Sequence, residues 1–331
     1  MIFFSKQNLK LQYKIEAFFQ RLAKFNENNL DGKLSIILLG SLSRGEATWT
    51  VKNNRVELLS DIEFFTVYPS GFSKFIEFDA EVEKAACLEL GDIKSDLFHI
   101  DNTWVEEKNL SRLERKLLTY DAQECGITVV GRDVKNKLPK INIKNINLED
   151  IKDILIHRIF FVLYYGEKVK NQNSVQEYRY LLAKNSLDLM TVLLANEGIL
   201  VSGFRKKLQE IQKSRKQNRV EKYFLYCLKI KQCTAVDNIY DITDMEEQFI
   251  ELIIYLNRIF KIPLLNRIYN VKAITRRHLG MIKRGLKVKN IAPSRDKYLE
   301  GLIDTFRKNE NLSKKQLLDN YVINGYPKPE K

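Results

Sequence analysis

Apolar positions along the first third of the chain switch between two periods, and each switch predicts an element. Leu11, Ile15, Phe18, Phe19 and Leu22 recur at helical spacing with a polar opposite face, which predicts a helix over residues 7–28. The polar stretch Asn26–Gly32 interrupts it. Lys33–Leu39 is then a nearly continuous apolar run, the pattern of a strand buried on both faces, and it leads directly into Gly40-Ser41. Residues 43–47 read as the first turn of a helix, and the polar stretch Thr48–Glu57 as a loop. A second strand is predicted over Asp61–Tyr68 and ends at Pro69-Ser70-Gly71. An amphipathic helix over 72–90 with Gly91 as its stop follows, then a third strand within 93–105, a helix over 110–124 and a short strand over 127–130.

Pro139–Asn147 is polar and poor in helix formers, and it marks a boundary. Beyond it helical periodicity dominates, over 148–165, 175–196, 203–213, 220–231 and 246–260, with a break at Pro263 and a basic helix over 272–284. The last seven residues carry two prolines and read as a frayed tail. The expectation is an α+β domain with a short mixed sheet over residues 1–140, followed by an all-α domain over 141–331.

Charge sharpens this division. The chain carries a net +13, but residues 1–140 hold 20 Lys+Arg against 21 Asp+Glu, whereas residues 141–331 hold 35 against 21. A basic second half suits a polyanionic or phosphorylated ligand; it suits a solvated lysine-rich surface equally. The four cysteines, Cys87, Cys125, Cys227 and Cys233, lack paired spacing, so they are expected as buried, reduced thiols rather than as a zinc site or disulfide framework. The N-terminus lacks the long apolar core of a secretory signal, and no stretch approaches the roughly 20 apolar residues of a membrane span. Ile154–Tyr165 comes closest but carries His157 and Arg158. These features predict a cytoplasmic protein.

The candidate chemistry sits where the first two strands end and begin. Gly40 is small enough for backbone to approach a phosphate, and Ser41 adds a hydroxyl at a predicted helix start, where unpaired N–H groups favour anions. Asp61 and Glu63 are two apart in a strand, so both leave one face while Ile62 points into the core. Paired carboxylates suit Mg²⁺, a hard cation that takes oxygen ligands. Two such ions can activate an acceptor oxygen and stabilise a leaving pyrophosphate.

The stretch Leu38-Leu39-Gly40-Ser41-Leu42-Ser43-Arg44-Gly45-Glu46, followed by Ser60-Asp61-Ile62-Glu63, resembles the DNA-polymerase-beta-type nucleotidyltransferase superfamily. The resemblance implies a nucleotidyltransferase domain whose two carboxylates are joined by a third from a later strand. Asp101, at the end of Leu97-Phe98-His99-Ile100-Asp101, resembles the context of that third acid; Asp96 is the alternative, and five residues apart the two cannot share a face of one unbroken strand. Asp61, Glu63 and Asp101 are thus the expected catalytic and metal-binding residues. Two departures stand out: the 19 residues between Ser41 and Asp61 exceed the family's usual gap, and the second acid is Glu where Asp is common. His99 lines the same stretch as a pocket residue or a structural hydrogen-bonding group. Arg44 contacts phosphate or substrate, or pairs with Glu46 or another neighbour.

In the second half, Tyr178–Asp188 resembles the first core helix of the helical domain in relatives that modify small molecules. Tyr180, Lys184 and Asp188 share one helical face, so Lys184 either reaches triphosphate oxygens or forms a pair with Asp188. Arg276-Arg277-His278 with Lys283-Arg284 forms a basic stripe, read as a solvated face or a phosphate contact. The resemblance implies transfer of a nucleoside monophosphate from an NTP such as ATP to a small-molecule or protein acceptor, with Mg²⁺ as cofactor and Gly40, Ser41, Arg44 and Lys184 on the nucleotide. The alternatives are a non-catalytic nucleotide-binding protein and an RNA-directed transferase; the second is disfavoured by the lack of an interleaved aromatic and basic RNA motif.

Overall fold

The computed structural model describes residues 3–4, 8–52, 54–95, 98–147, 149–151, 154–155, 158, 162, 175–213, 218–232 and 242–260. Met1–Glu246 groups as one compact unit, and a second begins at Glu247. In chain order the named elements are α1 (Leu9–Leu30), β1 (Ser35–Leu38), α2 (Gly40–Ser43), β2 (Trp49–Lys52), β3 (Arg55–Leu58), β4 (Ile62–Tyr68), α3 (Phe75–Leu90), β5 (Ile100–Glu106), α4 (Leu117–Cys125) and β6 (Ile127–Val130). The helices α5 (Val175–Asn196), α6 (Phe204–Lys213), α7 (Asn218–Lys231) and α8 (Ile242–Phe260) follow. The chain is therefore a mixed α/β fold with a small sheet and many helices.

The main sheet has the order β5-β4-β1-β6. β1 runs antiparallel to both β4 and β6, and β4 pairs with β5 in parallel. Both faces of the sheet are covered, which is why Lys33–Leu39 reads as a continuous apolar run. Ile36 and Leu38 join Phe18, Leu22 and Phe78 of α1 and α3 in one core cluster. Ile37 and Leu39 point the other way, with Phe65, Val67, Val105 and Ala122 in a second cluster. Full burial of each such side chain contributes about 1.5–3 kcal/mol.

Three elements depart from the sequence expectation. The polar stretch 48–57 is an antiparallel hairpin, β2–β3, with Trp49 opposite Leu58; its polar positions are accommodated because the hairpin is a separate two-stranded sheet with no fully buried face. The helix expected at residue 43 starts at Gly40 and ends at Ser43. Residues 107–112 form a 3-10 helix ahead of α4, rather than one continuous helix. The cysteines also need correction: Cys227 is buried, but Cys125 is half-buried and Cys87 lies exposed on α3, because Phe78, Val82, Ala85 and Ala86 form that helix's buried face. Cys233, Pro263, the basic stripe at 276–284 and the C-terminal tail lie outside the described residues. Among the described residues, no helix is long and apolar enough to cross a membrane.

Candidate active site

The β1–β4 ladder continues one bond past its last strand pair, with the Leu39 N–H donating to the Glu63 carbonyl at 2.8 Å. The chain then turns at Gly40, whose φ of +67° lies in the left-handed region that favours glycine. A Cβ at Gly40 would meet Glu63 Oε2 at 2.3 Å. The small residue expected to admit a phosphate thus makes room for the Glu63 carboxylate. Ser41 follows half-buried on α2.

The parallel pairing of β4 and β5 sets Glu63 opposite Asp101, and the Ile62 N–H donates to the His99 carbonyl at 3.1 Å. Asp61, Glu63, His99 and Asp101 consequently leave one face of two adjacent strands. It is the face that carries Phe65, Val67 and Val105 into the second core cluster further along. Of the two candidates for the third acid, Asp96 lies outside the described residues and Asp101 stands beside Glu63.

His99 sits between two of the acids: Nδ1 is 2.8 Å from Asp61 Oδ1 and Nε2 is 3.0 Å from Asp101 Oδ2. The Lys184 ammonium donates to the other Asp61 oxygen at 2.7 Å. Burial of Asp61 opposes its charge, but Lys184 and then His99 outweigh it and hold the carboxyl well below the usual range. Burial also opposes charge on His99; the hydrogen-bonding partners Asp101 and Asp61 overcome it and push its pKa up to about 10. Lys184 is held above the ordinary lysine range against its own burial, chiefly by Asp61. Glu63 behaves oppositely. Burial raises its pKa, and the charges of Asp61 and Asp101 add to the rise, opposed by Lys184 and Arg44.

Arg44 is committed elsewhere. Its Nε donates to Glu46 Oε2 and its Nη1 to Asp121 Oδ2, both at 2.9 Å. Glu46 Oε1 in turn accepts from the Phe204 N–H at 2.8 Å, which caps the first turn of α6. Ser202 donates to the second Asp121 oxygen at 2.6 Å. Asp188 pairs with Arg158 at 3.0 Å, which leaves Lys184 to Asp61. Sequence reasoning singled out Lys184, Asp61 and Glu46 but missed Asp121 and Lys231, because nothing local marks an acid on α4 or a lysine at the end of α7 as facing this region.

Among the described residues, no three His, Cys, Asp or Glu side chains already close around a point that could hold a metal ion. The donor chemistry nevertheless fits Mg²⁺, since Asp61, Glu63 and Asp101 are aligned oxygen donors. Glu63 has no hydrogen-bond donor among the described residues and stands between Asp61 and Asp101, so a cation there would offset the mutual repulsion of the three carboxylates.

No protein-family model and no curated protein sequence matches the chain. Among solved structures it is similar to spectinomycin adenyltransferase AAD(9) from Enterococcus faecialis, determined with ATP and spectinomycin. The two are 13% identical with a TM-score of 0.42, and the match covers 76% of this chain and 99% of that one.

Proposed function

We propose that the protein is a Mg²⁺-dependent nucleotidyltransferase that moves a nucleoside monophosphate from an NTP to a small-molecule or protein acceptor and releases pyrophosphate. The observation that carries this reading is the β4–β5 register, which aligns Asp101 with Glu63 beside the Gly40 turn. Asp61, Glu63 and Asp101 would hold the metal. When bound, Mg²⁺ neutralises phosphate charge and favours departure of pyrophosphate. The Gly40-Ser41 turn and Lys184 would orient the triphosphate, with Lys184 exchanging part of its contact with Asp61 for phosphate oxygens. Arg44 would act on the nucleotide indirectly, by holding the loop after Ser41 through Glu46 and Asp121.

The test is pyrophosphate release from Mg-ATP by the full chain supplied with a cell extract as the acceptor source. Asp61→Asn and Glu63→Gln are each expected to lower the rate at least about a hundredfold while leaving the far-UV circular dichroism unchanged. Equal rates in wild type and both variants would overturn the assignment.

A second reading, a nucleotide-binding protein without turnover, draws on the way Asp61 is already neutralised by Lys184 and His99. It predicts that Mg-ATP binds by calorimetry while no extract supports pyrophosphate release.

A further inference from the structure

Lys231 is the last residue of α7 and is only 1% exposed. Its ammonium lies 2.8 Å from Thr48 Oγ1, 3.1 Å from Ser60 Oγ and 3.4 Å from the Tyr180 hydroxyl. The Tyr180 and Phe204 rings lie 5.2 and 5.9 Å away. Among the described residues no carboxylate is within ion-pair distance of it. A buried ammonium with only neutral partners is expensive, since desolvating a charge is costly and hydroxyls return less than a carboxylate would. An apolar side chain would pack there at lower cost. The feature is therefore explained better by what the ammonium holds than by stability.

What it holds is specific. Ser60 immediately precedes Asp61, and its Oγ also accepts from the Thr48 N–H at 2.8 Å. Tyr180 lies one helical turn before Lys184 on the same face of α5. Thr48 Oγ1 donates back to the Lys231 carbonyl at 2.7 Å, which satisfies one of the otherwise unpaired carbonyls at the end of α7. The same ammonium thus grips the residue next to Asp61 and the turn before Lys184, the two partners of the 2.7 Å pair.

We propose that Lys231 is a positioning residue that sets Asp61 against Lys184 by bonding Ser60 and Tyr180 at once. Its relevance to catalysis rests on the nucleotidyltransferase reading; its effect on the pair does not. Lys231→Met keeps the length of the side chain and removes the charge, and Ser60→Ala removes the acceptor beside Asp61 with less risk to folding.

The experiment measures the rate at which acetic anhydride acetylates Lys184 in the full chain, read peptide by peptide by mass spectrometry. Lys184 is 25% exposed and so reachable by the reagent. The buried Lys207 on α6 and the exposed Lys74 serve as internal controls. Loss of the Lys231–Ser60 contact is expected to raise Lys184 labelling about tenfold in both variants, with both controls unchanged. Lys184 labelling at the wild-type rate in both variants overturns the proposal. So does an equal rise at Lys207, which would mean general loosening of the core. Mg-ATP affinity measured on the same proteins separates the two readings. A wild type that binds no nucleotide while the labelling responds would defeat the functional assignment and leave Lys231 as the positioning group.

Discussion

Gly40 and Glu63 compete for one small volume, and the left-handed backbone at Gly40 lets the carboxylate have it. Gly40→Ala is expected to lower stability by about 1–3 kcal/mol in urea unfolding, through backbone strain and displacement of Glu63. Glu63 itself is held with a raised pKa by burial and then by its acidic neighbours. A carboxyl whose folded pKa is raised leaves stability intact below the usual carboxylate range and weakens it as the pH climbs through the folded value. Glu63→Gln should therefore raise the urea midpoint at pH 8, and the gain should vanish below about pH 4. Such a gain alongside lost activity is the expected trade-off at a functional site. His99, with its pKa raised to about 10, contributes stability that is complete below the ordinary histidine value of 6.5 and is lost as pH rises through 10. Comparing the pH dependence of unfolding in wild type and His99→Gln checks this: their difference should shrink over that window and be flat below it.

Two elements hold the site through polar contacts as well as apolar packing. α6 begins on Glu46, whose carboxylate caps the helix and pairs with Arg44 while only 9% exposed. Glu46→Ala would leave Arg44 with Asp121 alone and the Phe204 N–H unsatisfied. The expected loss is about 2–3 kcal/mol, with a smaller loss for Glu46→Gln, measured by urea unfolding. The β2–β3 hairpin fills the long gap between Ser41 and Asp61, and its Lys52 reaches Glu177 on α5 at 2.8 Å. Trp49 and Val51, then Val56 and Leu58, alternate with polar residues on either side of Asn53-Asn54, so the hairpin was legible in a period of two that the polar content of the stretch outweighed. The strands on either side were legible because burial on both faces demands continuous apolar runs.

At the scale of the molecule, the sheet and helices α5 to α7 lie within one compact unit, Met1–Glu246. Division of the chain at residue 140 stands as a proposal about its organisation. A fragment of residues 1–140 lacks Lys184 for Asp61, Phe204 for Glu46, Ser202 for Asp121 and Lys231 for Thr48. It keeps both core clusters, so it is expected to unfold cooperatively but at a lower urea midpoint than a fragment of residues 1–246, followed by tryptophan fluorescence from Trp49 and Trp104. The sequence alone determined the elements whose period burial dictates: β1, β4 and β6, the long helices α1, α3, α5 and α8, and the common face of Asp61 and Glu63. Each of these depends on neighbours a few residues away, which a linear pattern records. Only the tertiary structure decided that Asp101 stands in register with Glu63 and that His99 lies between two acids. It alone decided that Lys184 turns to Asp61 instead of Asp188, and that Lys231 reaches Ser60 from 171 positions along the chain. Those contacts arise from strand pairing and helix docking over long sequence separations, and no local period encodes them.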